Sequence, residues 1–389
     1  MKRVFNYTAI AAACLVAPVA MAEVTISGVV DQAIDKLTNS NASGRKTVSR
    51  LEPTLSNYGE LKFKGTEEIG SGTKANFEVS LKNVGPADAD ESIENYTSFV
   101  GLSGDFGSIK IGSQWRPFFT AVSGIDPAQL AKVPGFVGSS LLGGLSGMAP
   151  TPNRNSITYN LPSLTPGLFI QLQKGLSETS TGIGDNKGMY AIFTDGDKFF
   201  AAYATNQTTM LAYDPTTGAG TFGAALTGSM GQDGTTEAAT TWANPTNSLS
   251  GHNHVLHTAS AGDVRKSSGV AFTYKVDTIK LVYASAKEKV VGQDAAIDLN
   301  AYGFTVPFGS DFSLGYLVST ANHTRSADLV ALGLGRQFRL EGNRMLVSYS
   351  MSKRTTAYFA SGRQKLAGGT ANGTALSTEV AALGIQHKF

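Results

Sequence analysis

The chain has 389 residues, 41% of them hydrophobic and only 16% charged, with 44 glycines and a single cysteine. Its 32 basic and 30 acidic residues give a net charge of +2, which argues against nucleic acid as a partner. Mean hydropathy is −0.06, and no apolar run beyond the N-terminus is long enough for a membrane helix.

The N-terminus predicts a compartment. Lys2 and Arg3 precede an apolar run from about Ala9 to Val19, and Ala20-Met21-Ala22 forms an A-x-A site. This predicts a secretory signal over 1–22, cleaved after Ala22. Cys14, the one cysteine, lies inside it. A lipoprotein reading would acylate Cys14, but the apolar run continues past it and the small-residue site follows. Without Lys2 and Arg3 the 32 basic residues become 30, against 30 acidic ones, so the remainder 23–389 is neutral. A secreted chain without disulfides needs a large core or a closed sheet.

From Glu23 the pattern has period two. Val24, Ile26, Gly28 and Val30 alternate with Thr25, Ser27, Val29 and Asp31. Leu61, Phe63 and Gly65 alternate with Glu60, Lys62, Lys64 and Thr66 up to the turn Gly70-Ser71-Gly72. Ala75, Phe77, Val79 and Leu81 then alternate with Lys74, Asn76, Glu78 and Ser80. A 3.6 period would mix Lys and Phe on every face, so these are strands. Further pairs are predicted at 96–103 with 108–114, 155–161 with 167–175, and 188–194 with 198–205. Others follow at 268–276 with 278–287, 296–307 with 311–320, and 327–340 with 344–354, the last pair meeting at Glu341-Gly342-Asn343. In the closing stretch Ala381, Leu383 and Ile385 share a face with the terminal Phe389, opposite Gln386 and Lys388.

With 23–36 and 374–389 these make sixteen runs; the stretch 206–267 leaves eighteen open, through a hairpin at Thr221–Met230 and His254–Ser260. Short turns alternate with long connections near 38–57, 83–95, 115–154, 206–267 and 355–373. Shorter loops fall near 177–187, 288–295 and 321–326. The fold predicted is all-β, a transmembrane antiparallel barrel with tight turns at one rim, loops at the other, and a terminal ring at the bilayer interface.

Six segments in order carry a resemblance: VTISGVVD at 24–31, FKGTEEIGSG at 63–72, FVGLSGDFG at 99–107, NSITY at 155–159, YSMSKRTTAY at 349–358 and GIQHKF at 384–389. The chain resembles the trimeric general porins of beta-proteobacterial outer membranes over 23–389. The resemblance implies a sixteen-stranded barrel, a homotrimer, and passive diffusion of ions and small hydrophilic solutes with no cofactor. It sets the barrel among outer-membrane lipids and lipopolysaccharide. It also assigns 115–154 to the third external loop, which folds inward and narrows the channel. Five prolines and the apolar run 136–145 suit a loop tucked against a wall rather than left in water.

Family members set acidic loop residues against basic wall residues, but here Asp126 is the loop's only acid, beside Arg116, Lys132 and Arg154. Wall-facing Lys62, Lys64, Lys74 and Lys110 outnumber Asp31, Glu60 and Glu78. Arg354 shares a period-two face with Ser348, Ser350 and Ser352, and an arginine facing lipid at mid-membrane costs roughly 2–4 kcal/mol, so it is expected to point inward. The charge set predicts a net positive constriction and anion preference.

Three other readings compete. An enzyme needs a histidine beside a carboxylate or serine; the five histidines are His252, His254, His257, His323 and His387, and no strand-borne pair emerges. The cluster at 252–257 could hold a metal at the rim, although no metal is assigned. An adhesin with a closed lumen would use the large loops, whose residues name no partner. A soluble secreted β protein is disfavoured by the apolar outward faces and Phe389.

Overall fold

A computed structural model describes residues 23–41, 44–56, 59–85, 93–129, 131–135, 152–177, 185–209, 264–294, 296–324, 337–367 and 377–389. The segment 1–22 with Cys14, the run 136–145, the expected extra hairpin and the histidine cluster at 252–257 lie outside these residues.

Seventeen strands form one antiparallel sheet among the described residues. They are β1 (Glu23–Asn41), β2 (Gly44–Glu52), β3 (Glu60–Gly70), β4 (Thr73–Lys82), β5 (Glu94–Gly104), β6 (Gly107–Gln114), β7 (Asn153–Asn160), β8 (Leu168–Gly175) and β9 (Asn186–Thr194). Then come β10 (Phe199–Thr209), β11 (Val264–Val276), β12 (Ile279–Val290), β13 (Ala296–Phe308), β14 (Phe312–Thr324), β15 (Gln337–Ser350), β16 (Thr355–Ala367) and β17 (Ser377–Lys388). β1 pairs with β2 through 33–41 and with β3 through 23–29, so β2 and β3 lie end to end at one position. The circuit therefore has sixteen positions, and pairing of β1 with β17 closes it. Closure removes the open edges that would expose unpaired amides to lipid.

Side chains sort by the period-two rule. Val100, Ile111, Tyr274, Leu281, Tyr302, Leu383 and Ile385 are exposed on the outer wall, which bilayer hydrocarbon covers. The inner wall is small or polar except where the β6–β7 connection packs on it, at residues such as Leu299, Leu317 and Leu346. At the short-turn rim, Gly70, Ser71 and Gly72 all adopt positive φ between β3 and β4. Between β9 and β10 the Asp195 carboxylate accepts amide bonds from Asp197, Lys198 and Phe199 at 2.9–3.0 Å. These backbone donors, Phe199 foremost, hold it below the usual carboxylate range.

Phe389 sits where the chain ends meet. Its carbonyl accepts from the Gly28 amide at 3.0 Å, and its amide donates to the Gly28 carbonyl at 3.1 Å. A Cβ at position 28 would run into the Phe389 ring, so glycine is what lets the ring lie flat on the wall. Phe389→Ala keeps both backbone bonds and loses the ring contact. It is expected to lower barrel stability by about 1–2 kcal/mol, read as a lower temperature for loss of the compact band in heat-modifiability electrophoresis.

Several boundaries differ from the sequence reading. The expected loop 38–57 is largely strand, with β1 running on to Asn41 and pairing with β2. The expected strand 344–354 and turn 341–343 are replaced by an uninterrupted β15, with the turn at 351–354. Of the expected strand 327–340, only 337–340 is described, within β15. The expected loop 355–373 is mostly β16. Gly342 was the misleading residue: it reads as a turn glycine and serves as a gap in the inner wall.

Candidate functional site

The lumen is shaped by the connection between β6 and β7. It opens with a short helix, α1 (Pro117–Ser123). Pro117 occupies its first turn, where a missing N–H costs nothing. Phe118, Ala121, Val122 and Ile125 follow at the i, i+3, i+4, i+7 spacing of one helical face. That face is buried against Ala202, Ala204, Ala271, Ala284 and Leu299 on the inner wall. The wall is alanine-rich there because the helix needs the room. The helix was missed in the sequence because the proline and glycine content dominated; Pro117 followed by that spacing was the available signal. Trp115 anchors the root, stacking on Phe119 at 4.5 Å and meeting Tyr96 edge-on at 5.0 Å.

Beyond α1 the loop runs along the inside of β14, β15 and β16 to reach β2. Ala128, Ala131 and Val133 are buried with Leu37, Leu55, Leu346, Tyr358 and Val380. The loop's backbone needs gaps to lie this close. A Cβ at Gly342 would stand 2.6 Å from the Gly135 carbonyl oxygen and 2.7 Å from its Cα, and one at Gly362 would overlap the Pro134 carbonyl.

Charged groups fix the same segment. Arg344 donates from Nη1 to Asp126 Oδ2 at 2.5 Å and from Nη2 to the Val133 carbonyl. Both side chains are almost wholly buried. Lys132 Nζ lies 2.6 Å from Glu52 Oε2, and the Lys132 amide donates to the Thr54 carbonyl at 2.6 Å. Glu52 also meets Arg50 at 3.6 Å, and Arg50 donates to both oxygens of Asp35 at 3.0 and 2.6 Å. Ser319 Oγ donates to the Gly135 carbonyl at 2.7 Å. Asp126 and Lys132, expected to set the charge of the constriction, are thus held in ion pairs that seat the loop. Arg344 and Glu52 went unnoticed in the sequence; their partners are 218 and 80 residues away.

The opposite wall, β3 to β8, carries the open polar surface. Lys62, Lys64, Glu78 and Lys110 lie on the face opposite the exposed Val79, Val100 and Ile111. Lys62 pairs with Glu60 at 3.0 Å and Lys64 with Glu78 at 3.3 Å. Glu78 also accepts from Thr97 at 2.8 Å. Lys74 and Lys82 pair with Glu68 and Glu94 at 2.9 and 3.1 Å. Lys110 instead lies over the Phe99 ring, 4.5 Å from its centre. Arg116 stands at the start of α1, with Nε and Nη1 buried and without hydrogen-bond partners among the described residues. Arg154 is exposed at the start of β7. Among the described residues none of Lys110, Arg116 and Arg154 has a carboxylate within 4 Å. Arg354 departs from expectation: it lies exposed in the 351–354 turn at the short-turn rim rather than on a strand. The strand alternation that pointed it inward ends at Ser350.

No group of three or more metal-ligating side chains occurs among the described residues. What the arrangement offers is a polar interior, with the start of the β6–β7 connection seated on the inner wall, inside a closed sheet with an apolar exterior. That defines an outer-membrane β-barrel of the channel-forming class.

A family model described as Gram-negative porin matches residues 8–381, and the chain belongs to that family. It is an outer-membrane protein that crosses the bilayer repeatedly as strands, and a channel protein rather than an enzyme. A major outer membrane protein P.IB of Neisseria gonorrhoeae is 29% identical over 189 residues, 48% of this chain and 52% of that protein. A P.IA protein of Neisseria meningitidis serogroup B is 32% identical over 97 residues, 23% of this chain and 25% of that one. The matches thus span about half or less of these relatives. Among solved structures, an anion-selective porin from Comamonas acidovorans superposes with a TM-score of 0.69 at 18% identity. That match covers 95% of this chain and 100% of the other. The trimer form of OmpT from Vibrio cholerae gives 0.57 at 11% identity, over 95% and 99%. These likenesses establish the shared barrel fold.

Proposed function

We propose that the protein passes ions and small hydrophilic solutes by passive diffusion, with a preference for anions. One observation carries the preference: among the described residues Lys110 on β6, Arg116 at the loop root and Arg154 on β7 have no carboxylate within 4 Å, while the other lumen lysines named above are matched. Lumen cations left unneutralised lower the barrier to anions and raise it to cations. The anion-selective neighbour supports this reading. The remaining proposals are cleavage after Ala22, a single barrel domain over 23–389 whose loop at about 115–154 narrows the passage, and a homotrimer. The trimer form of a structural neighbour supports the last of these.

Planar-bilayer recording under a salt gradient tests the preference. The native protein should give an anion-favouring reversal potential, and K110Q/R116Q/R154Q should move it toward zero by a factor of about 3 or more in permeability ratio. That factor corresponds to roughly 0.6 kcal/mol of barrier difference. A native reversal potential favouring cations would overturn the preference and leave the channel standing.

A further inference from the structure

One aromatic ring faces the barrel interior where the α1 helix does not cover it. Phe169, the second residue of β8, alternates with Leu168 and Ile170 and so shares a face with Gln171 and Gln173. That face is the inner one, because Gln173 donates to the Trp115 carbonyl at the loop root at 2.9 Å. Ile192, the cross-strand partner of Phe169, packs against the α1 cluster and fixes the same direction. Phe169 is nonetheless 55% exposed and stands outside the group that α1 buries, so helix packing does not account for it.

The ring is not isolated. Ile192 lies directly across the sheet from it, and Phe200, paired with Thr194, lies diagonally beyond. Both are half-buried, and with Tyr190 and Phe119 they edge the contact between α1 and the wall. Phe119 in turn stacks on Trp115. Together these side chains form an apolar shelf on the inner wall, from Trp115 at the loop root to Phe169 near the short-turn rim. Arg116, next to Trp115, stands at its head.

The surroundings select an occupant. The amides beside the shelf are engaged with one another: Gln171 donates to Asn160 at 2.8 Å, Asn160 to Ser108 at 2.9 Å, and Gln173 also to Thr158 at 3.1 Å. A sugar would need such groups for its hydroxyls. The cations are less engaged. Arg116 keeps two nitrogens without hydrogen-bond partners among the described residues, and Lys110 has a ring rather than a carboxylate beside it. A flat apolar face headed by an unmatched cation suits a ring that carries a carboxylate.

We propose that this shelf binds aromatic carboxylates on their way through the barrel, benzoate being the simplest. Arg116 draws the carboxylate to the head of the shelf, and Phe119, Ile192, Phe200 and Phe169 take the ring in succession. The inference rests on the channel reading above and names a solute class within it. Binding along a passage must stay weak enough for release, so the site is a transient one.

The test is block of chloride current through the native protein in planar bilayers by benzoate, acetate, benzyl alcohol and glucose in turn. Benzoate should half-block at a concentration at least about tenfold below each of the others, as expected for one ring face removed from water together with a paired charge. F169A should raise the half-blocking concentration of benzoate by about fivefold and leave that of acetate in place, while F169W should keep the native value for benzoate. R116Q should weaken both anions alike. Benzoate acting no more strongly than acetate, benzyl alcohol or glucose would overturn the inference and leave the channel standing, as would equal effects of F169A on benzoate and acetate. Absence of any chloride current would overturn the channel reading and this inference with it. Should F169A fail to fold, the comparison of the four solutes on the native protein decides.

Discussion

Arg344→Ala is expected to free the inward loop while leaving the barrel closed. The substitution removes the Arg344 cation, 2.5 Å away, from the buried Asp126 carboxylate, which keeps the Ala128 amide on Oδ1. Removing one partner of a buried ion pair costs about 3–5 kcal/mol, because the remaining charge is left uncompensated. The strand ladder is untouched, since β15 keeps its pairing to β14 and β16. The strain therefore falls on the loop, which also loses the bond from Arg344 to the Val133 carbonyl. Single-channel recordings should show larger and noisier openings than the native protein. The double variant R344M/D126L separates charge from packing: replacing a whole buried pair by apolar groups is often nearly neutral, so it should return conductance toward native. If Arg344→Ala recorded native conductance and noise, the pair would not be what seats the loop.

Valine at Gly342 or Gly362 should unseat the same segment by a route that involves no charge. The atoms the new side chain would meet at 342 belong to the Gly135 backbone, which has no rotamer to change. Overpacking of this kind costs about 1–3 kcal/mol, more where backbone must move. The loop should lift, losing the bond from Ser319 to the Gly135 carbonyl. Limited proteolysis of the folded barrel should cut within 126–135 at least about tenfold faster, in line with a local opening made easier by about 1.4 kcal/mol. Cleavage at the native rate would show that the wall does not hold the loop at these glycines.

How far the sequence could be read depends on the range of each interaction. Alternation such as Leu61-Lys62-Phe63-Lys64 is local, so it exposed the strands, their faces and the inward lysines of β3 and β4. The count of sixteen positions came out right although two strands near the C-terminus were misplaced. Gly342 stands inside Glu341-Gly342-Asn343, which has turn chemistry. Only the loop lying against it, some two hundred residues earlier in the chain, reveals why glycine is there. Asp126 and Lys132 failed for the same reason: a charge's role depends on its partner, and Arg344 and Glu52 are distant in sequence. Lys110, with an aromatic ring rather than a carboxylate beside it, kept the inward position that alternation gave it.

The loop's attachments also bear on how the sheet is completed. Its contacts divide between the C-terminal strands, through Arg344 and Gly362, and the N-terminal hairpin, through Glu52 and Thr54. Neighbouring strands elsewhere are mostly joined by short turns, so most pairings form with little entropy lost to chain closure. The joining of β1 to β17 is different, since it brings together residues such as Asp31 and Gln386 from opposite ends of the chain. Pairings that distant form slowly and late. A loop that grips both sides of this last joint acts as an internal staple on it. Amide hydrogen exchange along β1 and β17 would then be held back by the loop, and loop-releasing substitutions would quicken it there before anywhere else in the wall.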